Sequence, residues 1–253
     1  MTDRPFDGKV ALVTGAAAGI GRAATLAFAA RGAAVVVSDI DDRAGEALVT
    51  EIETAGGRAC FQRADVTAEA DTVALVARAR TTFGGLHLAF NNVGFSWGQG
   101  VRELSVKDWD RTVAVSMRAP WLCMKHELPL MRESGGGAIV NTASMAGIAY
   151  APDANIAYSA AKAGVIQMTR YAANAVAADG IRVNCVSPGL TRTAAVERFL
   201  DAEQQRKLAA QTQPIGRIIE PAEIADAVMW LCSSGAAMVT GENICVAGGQ
   251  QAR

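Results

Sequence analysis

A tyrosine and a lysine stand four residues apart in the stretch YSAAK, as Tyr158 and Lys162. Residues with that spacing share one face of an α-helix, so the lysine ammonium can approach the phenol. A free phenol has a pKa of about 10, and a nearby cation lowers that pKa because it stabilises the phenolate. The pair therefore predicts proton transfer by Tyr158 near neutral pH. The pattern is short, however, and a tyrosine and a lysine on an exposed helix would match it equally well.

A serine ahead of this stretch favours the catalytic interpretation. Ser144 follows the apolar run GAIVNTAS, which has the composition of a buried strand. A hydroxyl at the carboxyl end of a strand can hydrogen-bond an oxygen whose charge changes during a reaction. Ser144, Tyr158 and Lys162 are therefore predicted to act together, provided that the first half of the chain binds a nucleotide.

The first half of the chain contains a glycine-rich turn, TGAAAGIG, directly after the apolar run KVALV. Its first glycine can form the tight turn, the second lets the backbone approach a phosphate, and the third allows helix and strand to pack closely. The spacing is G-x-x-x-G-x-G rather than G-x-G-x-x-G, but its position between the first strand and the first helix is typical of dinucleotide binding. The residues predicted to hold the pyrophosphate are Gly15, Ala18, Gly19, Ile20 and Gly21.

Asp39 ends the second apolar run, VVVSD, 24 residues after Gly15. A carboxylate at that position can accept hydrogen bonds from the hydroxyls of an adenosine ribose, and it repels a 2′-phosphate. The sequence thus favours NAD over NADP, and Ile40, which is not basic, agrees with that preference. Arg43 argues for NADP, although it is expected on the solvent side of the next helix. The alternative role for Asp39 is to cap the helix that starts near Asp41.

Two further strand ends are predicted to lie near the adenine. Asp65 and Val66 end the third strand, and Asn91 and Gly94 stand at the end of the fourth. The carboxyl ends of parallel strands meet at one edge of a sheet, where ligands of such folds bind. Asparagine-rich turns are also common in ordinary loops, so each signal alone is ambiguous.

Short apolar runs alternate with amphipathic stretches along the whole chain, and seven strands can be counted. This alternation indicates parallel strands joined by right-handed helical crossovers. We predict a Rossmann-type three-layer α/β sandwich with a seven-stranded parallel sheet in the order 3-2-1-4-5-6-7. No linker divides the chain, so residues 1–253 are expected to form one domain, with a flap over the ligand crevice at about 190–217.

Composition excludes several other classes of function. The formal net charge is -1, from 24 Lys and Arg against 25 Asp and Glu, which gives no field for nucleic acid or an anionic membrane. The five cysteines include no CxxC pair, and the two histidines are isolated, so neither disulfides nor a metal site are predicted. The first residues contain no apolar run typical of a signal peptide, and a cytoplasmic protein is expected.

Six motifs in order resemble the short-chain dehydrogenase/reductase family over nearly the whole chain: TGAAAGIG, NNVG, NTASMAG, YSAAK, VNCVSPGLTRT and TGENICVAGG. The resemblance implies that Tyr158 is the acid/base, that Ser144 orients the substrate oxygen, and that Lys162 tunes Tyr158 and binds the nicotinamide ribose. It implies Asn91 near the adenosine, and a homotetramer formed through the helices at 106–131 and 157–178. It places four residues around the nicotinamide: Pro188, Gly189, Thr191 and Thr193.

Three features depart from the family pattern. Ser116 stands where the family usually has a catalytic asparagine that holds a water leading to the lysine. That contact is attributed to a main-chain carbonyl, so activity is expected to survive, although a serine within a helix can also bend it by bonding back to a carbonyl. Ser144 and Tyr158 are separated by one residue more than usual, which the loop at 149–155 can absorb, and Ala247 replaces a frequent aspartate.

The candidate pocket is mostly apolar, which favours an alicyclic or aromatic secondary alcohol or its ketone over a charged metabolite. The leading hypothesis is an NAD-dependent oxidoreductase with such a small-molecule substrate. An NADPH-preferring ketone reductase and a catalytically weak NAD-binding scaffold or regulatory protein are the alternatives. The candidate substrate residues, each of which could instead be core or interface packing, are Phe95, Ser96, Trp97, Met145, Tyr150, Leu190, Val196 and Phe199.

Overall fold

The apolar runs form one seven-stranded parallel sheet in residues 4–151 and 154–252, the part of the chain that the structure, a computed structural model, describes. The strand order is 3-2-1-4-5-6-7, which confirms the predicted fold. The winding direction therefore reverses between the first and fourth strands, where a crevice opens at the carboxyl ends. The strands are β1 (Val10–Thr14), β2 (Ala34–Asp39), β3 (Arg58–Arg63), β4 (Leu88–Asn91), β5 (Gly137–Thr142), β6 (Ile181–Pro188) and β7 (Asn243–Val246).

Helices cover both faces of the sheet, which is why the central strands are apolar throughout. Alternate residues of β1 point to opposite faces: Ala11 and Val13 pack with one group of helices, Val10 and Leu12 with the other. The helices are α1 (Gly19–Ala30), α2 (Asp42–Thr54), α3 (Glu69–Phe83), α4 (Val106–Val113), α5 (Ala119–Glu133), α6 (Ile156–Val176), α7 (Ala194–Glu197), α8 (Ala202–Thr212) and α9 (Pro221–Cys232). The first face is covered by α1, α2 and α9, and the second by α3, α5 and α6.

The helix expected over residues 106–131 is interrupted by a wider turn. Between α4 and α5, Ala114–Arg118 forms a π-helical turn in which the Ala119 N–H donates to the carbonyl of Ala114, five residues back. Such a turn inserts one extra residue into a helix and is frequent at functional sites. Ser116 lies in the middle of it.

The segment at 190–217, expected to form a flap, contains two helices, α7 and α8. It is tied to the chain that follows it, because Thr191 pairs with Ile219 in an isolated bridge. In the loop at 149–155, positions 152 and 153 lie outside the described residues. None of the helices in the described ranges is long and apolar enough to cross a membrane.

Candidate active site

Tyr158 and Lys162 lie on α6, near its start. Asn155 caps this helix, since its Oδ1 accepts a hydrogen bond from the Tyr158 N–H at 2.8 Å. The Nζ of Lys162 lies 5.6 Å from the centroid of the Tyr158 ring. The structure therefore brings the predicted pair together at the crevice end of the helix.

The Lys162 side chain is fully buried, although it ends in an amine. Its Nζ donates a hydrogen bond to the Thr142 carbonyl at the end of β5, at 2.7 Å. Burial lowers the pKa of Lys162 to about 7, because desolvation disfavours the ammonium, and the neighbouring Cys185 offsets this only in part. The amine can thus gain or lose a proton near neutral pH.

Gly94 leaves the space that the amine occupies. A Cβ added at Gly94 would lie 2.6 Å from the Nζ of Lys162 and 3.8 Å from the Oγ of Ser116. A carbon atom 2.6 Å from Nζ is too close, so any side chain at position 94 would require Lys162 to move. Gly94 was predicted to line the cofactor site, and the structure shows in addition that its lack of a side chain accommodates Lys162.

Ser144 directly follows β5 and begins a short 3-10 helix, Met145–Gly147. Its Oγ accepts a hydrogen bond from the Ala146 N–H at 3.1 Å, which leaves the hydroxyl hydrogen for another acceptor. The 3-10 helix rests closely on α6, because a Cβ at Gly147 would lie 2.6 Å from the carbonyl carbon of Lys162. Ser144 is therefore held next to the helix of the candidate pair.

Ser116 does not bond back within its own helix, which corrects that possibility from the sequence. The side chain is fully buried. Its hydroxyl donates to the carbonyl of Phe95 at 2.8 Å and accepts from the N–H of Phe95 at 3.1 Å. The serine thus ties the wide turn to the loop that follows β4.

The glycine-rich turn has the geometry that a dinucleotide needs. Gly15 and Gly19 have φ angles of 60° and 52°, a region that residues with side chains rarely adopt. A Cβ at Gly21 would collide with the carbonyl oxygen of Gly15, so only glycine allows α1 to start this close to β1. Ala18 precedes α1 and offers no side-chain cap, which leaves first-turn N–H groups, beginning with those of Gly19 and Ile20, available to an anion.

Asp39 is fixed against this turn by three backbone donors. Its carboxylate accepts from the N–H groups of Ala17, Ile40 and Asp41, at 2.9, 2.8 and 3.2 Å. The cap of α2 is Asp41, whose side chain accepts from the Ala44 N–H at 3.0 Å, so the alternative role of Asp39 as a helix cap is wrong. A carboxylate has more acceptor positions than these three donors use, and the remainder can meet ribose hydroxyls.

The side chain of Asn91 points into the protein. It is 2% exposed, and its Nδ2 donates to the Oε2 of Glu127 on α5 and to the Oδ1 of Asn141, at 3.0 and 3.1 Å. Its amide nitrogen is therefore committed to these two acceptors, and a place for Asn91 near the adenosine stays a prediction. Burial raises the pKa of Glu127 to about 7, an effect that the Asn91 hydrogen bond reduces.

The other predicted cofactor residues lie at the crevice edge. Val66 and Val93 line a small recess beside α5, whereas the carboxylate of the exposed Asp65 accepts from the Thr67 N–H at 2.9 Å. Pro188 ends β6, and the carbonyl of Gly189 accepts from the Thr191 hydroxyl at 3.0 Å. Thr193 caps α7, and its Cγ2 would lie 3.2 Å from a Cβ placed at Gly19. The candidate nicotinamide and pyrophosphate segments therefore meet.

The predicted substrate residues differ in how far they are exposed and in what they contact. Phe95 and Trp97 contact each other edge to face, with ring centroids 4.7 Å apart, and Ser96 lies between them in the loop after β4. Met145 is buried. Leu190 and Val196 are partly buried, while Tyr150 and Phe199 are 90% and 73% exposed. Only the aromatic pair therefore forms a defined wall in the described residues.

Two side chains that position this wall were missed from the sequence. Asn155, besides capping α6, donates through Nδ2 to the carbonyls of Trp97 and Gly98, at 2.7 and 3.0 Å. The hydroxyl of Thr112 accepts from the Trp97 N–H at 3.2 Å. A polar residue just before a helix was a recognisable signal for the cap of α6. The contacts with the loop had no local signal.

Known proteins that are similar to this chain show its family. The family model described as enoyl-(acyl carrier protein) reductase matches residues 15–251. A short-chain type dehydrogenase/reductase from Mycobacterium marinum is 30% identical, with a TM-score of 0.93 over 99% of this chain and 98% of that one. The chain belongs to the short-chain dehydrogenase/reductase family.

Two further proteins are similar to this short-chain dehydrogenase/reductase over nearly its full length. Cyclohexanol dehydrogenase from Acinetobacter sp. (strain SE19) is 42% identical over 96% of this chain and 95% of its own sequence. A 7α-hydroxysteroid dehydrogenase, solved in complex with NADH and 7-oxo glycochenodeoxycholic acid, is 33% identical, with a TM-score of 0.92. The match covers 98% of this chain and 96% of that one. A nicotinamide cofactor thus agrees both with the family and with the turn geometry described above.

Proposed function

We propose that this protein is an NAD-dependent dehydrogenase that transfers hydride between nicotinamide and the carbinol carbon of an alicyclic secondary alcohol. One observation carries the chemistry: the buried Nζ of Lys162 stands 5.6 Å from the Tyr158 ring at the crevice end of α6. The substrate class is supported by similarity to an enzyme named cyclohexanol dehydrogenase and by the aromatic wall of Phe95 and Trp97.

The chain's own residues provide the proton transfer. Tyr158 accepts the hydroxyl proton of the alcohol, and Ser144 donates a hydrogen bond to the same oxygen. Lys162 stabilises the phenolate when its amine is protonated, and can pass a proton on, since its pKa of about 7 lies within the working range. A bound nicotinamide supplies the acceptor for the hydride. Catalysis then needs no metal.

The cofactor would be held along the crevice edge, at residues that fit its parts. The turn from Gly15 to Gly21 fits a pyrophosphate, and Asp39 fits the adenosine ribose. The segment at 188–193 fits the nicotinamide end, and the flap at 190–217 would cover it.

A panel of cyclic and acyclic secondary alcohols with NAD at mildly alkaline pH tests the reaction, followed by NADH absorbance. We expect turnover to be best with ring alcohols and to fall by at least about a hundredfold in Tyr158→Phe, because that variant loses the acid/base. Tight NAD binding without turnover on any alcohol would contradict the proposal and favour the scaffold alternative.

The preference for NAD over NADP is tested by titrating both cofactors against the protein and against Asp39→Ala. The unmodified protein should bind NAD at least tenfold more tightly, because the Asp39 carboxylate repels a 2′-phosphate. In Asp39→Ala, NAD affinity should fall and NADP affinity should rise. Equal affinities in the unmodified protein would contradict this preference and favour an NADPH-dependent ketone reductase.

We also propose a homotetramer in the cytoplasm. The outer faces of α5 and α6 expose large aromatic side chains, Trp121 and Tyr171, which a subunit interface would cover. Sedimentation equilibrium should give four times the chain mass of 26.3 kDa. A monomer at micromolar concentration would contradict this assembly.

A further inference from the structure

The loop at 94–98, which follows β4, touches α6 at both of its ends. At one end Gly94 lies against the amine of Lys162. At the other end the carbonyls of Trp97 and Gly98 accept the two hydrogen bonds from Asn155. The loop therefore runs alongside the first two turns of α6.

Tyr158 lies between these two contact points. It follows Asn155 by three residues and precedes Lys162 by four, spacings that place all three on one face of the helix. The rings of Phe95 and Trp97 belong to the part of the loop that passes this face. The backbone of the loop that carries these two rings is thus fixed to the helix that carries the phenol.

Asn155 is 5% exposed, and both the oxygen and the nitrogen of its side-chain amide form hydrogen bonds. Its oxygen accepts from the Tyr158 N–H, and its nitrogen donates to the two loop carbonyls. We propose that Asn155 is a positioning residue, which holds the aromatic loop at a fixed distance from Tyr158 and so sets how tightly a ring alcohol is bound. This inference rests on the proposed function.

The loop has a second set of contacts, which stays intact without Asn155. On the side of α4 and the wide turn, the hydroxyls of Thr112 and Ser116 bond the backbone of Trp97 and Phe95. The guanidinium of Arg111 also stacks on the Trp97 ring, 4.4 Å from its centroid. Loss of the Asn155 amide therefore frees only the end of the loop at Trp97 and Gly98, and the protein is expected to fold.

Two substitutions separate the cap from the link to the loop. Asn155→Ser keeps a good helix cap without adding charge, but its hydroxyl is too short to reach two carbonyls as the amide does. Asn155→Ala loses both the cap and the link. If the hydrogen bonds from Asn155 to the loop position the aromatic wall, both variants raise the KM for cyclohexanol about tenfold, equivalent to about 1.4 kcal/mol. The KM for NAD stays within about twofold, and the preference for cyclohexanol over propan-2-ol falls.

Normal kinetics in Asn155→Ser, with impairment only in Asn155→Ala, would show that Asn155 is a helix cap and would overturn the proposal. An equal loss of kcat on every alcohol with unchanged KM would also overturn the proposal, because that result indicates that a smaller fraction of the enzyme molecules is active. Ser233→Ala is the matched control, since Ser233 caps a short helix at the opposite edge of the sheet. It should match the unmodified protein.

Amide hydrogen exchange tests the link independently of turnover. In Asn155→Ser, the amides of residues 98 and 99 should exchange at least about tenfold faster, with amides in the middle of α6 unchanged. Unchanged exchange in the loop would overturn the proposal. If the unmodified protein oxidised no alcohol, the proposed function would fail, and the exchange experiment would still decide whether Asn155 restrains the loop.

Discussion

Lys162 combines a charge-bearing group with complete burial, and its surroundings explain how. The amine has one strong acceptor, the Thr142 carbonyl, and lies in the space left open by Gly94. Its ammonium form is disfavoured by desolvation, so the protonated fraction in the free protein falls as pH rises through about 7. The lysine therefore changes charge in the range where Tyr158 must exchange its proton.

Ser116 stands where the family pattern usually has an asparagine. We expect Ser116→Ala to lower kcat/KM for a ring alcohol about tenfold, because the loop loses both hydrogen bonds at Phe95. Ser116→Asn should remain within a few-fold of the unmodified protein, since an asparagine can also donate and accept. Steady-state kinetics with saturating NAD provide the measurement.

Thr50→Ala is the control for Ser116→Ala, because the Thr50 hydroxyl bonds only back to Glu46 on the surface of α2. A rise in turnover by orders of magnitude in Ser116→Asn would mean that the native serine impairs proton exchange. That outcome would contradict the expectation that activity survives the serine.

Among the elements, the loop after β4 has little free space around it, because it passes between α6 and the wide turn. Gly94→Ala places a methyl group 2.6 Å from the Nζ of Lys162. We expect this variant to fold and to lose at least about 90% of its kcat, since the amine must leave its position. Gly235→Ala is the control, because its Cβ meets nothing closer than 3.3 Å.

Circular dichroism and thermal melting distinguish the two ways in which Gly94→Ala could fail. A native spectrum with lost activity supports displacement of the amine. Full activity in Gly94→Ala would show that Lys162 can shift without consequence, contrary to the geometry.

The parallel α/β architecture and the placement of Tyr158 with Lys162 could be predicted, because both depend on local patterns. Alternating apolar runs determine the sheet, and the four-residue spacing of the pair determines a shared helix face. The inward turn of Asn91 and the wide turn at Ser116 could not be predicted in the same way. Each depends on a partner distant in the chain, Glu127 for Asn91 and Phe95 for Ser116.

At the scale of the whole molecule, the buried Glu127 makes stability depend on pH. Its folded pKa is about 7, above the ordinary value of 4.5. The free energy of unfolding that Glu127 contributes is complete below about pH 4.5 and is lost as pH rises to about 7. The reason is that the carboxyl group ionises at lower pH in the unfolded chain than in the folded protein. A shift of this size is equivalent to at most about 3 kcal/mol.

Glu127→Gln keeps a neutral side chain of the same shape at every pH. The difference between the Tm of Glu127→Gln and that of the unmodified protein should therefore increase by several degrees, in favour of the variant, from pH 5 to pH 8. Glu133→Gln is the control on the same helix, since Glu133 is exposed and pairs with Arg80. Scanning calorimetry at both pH values makes the comparison, and an equal Tm difference at pH 5 and pH 8 would contradict a buried neutral Glu127.

The wide turn at Ala114–Arg118 amounts to one surplus residue in an otherwise continuous helix. Removing one residue there would restore a regular helix and rotate α4 by about 100° relative to α5. The buried face of α5 would keep its packing, while Thr112 would turn away from Trp97. Chain length at this point thus determines where α4 holds the loop after β4, and a natural deletion here would mark a relative whose pocket is built differently.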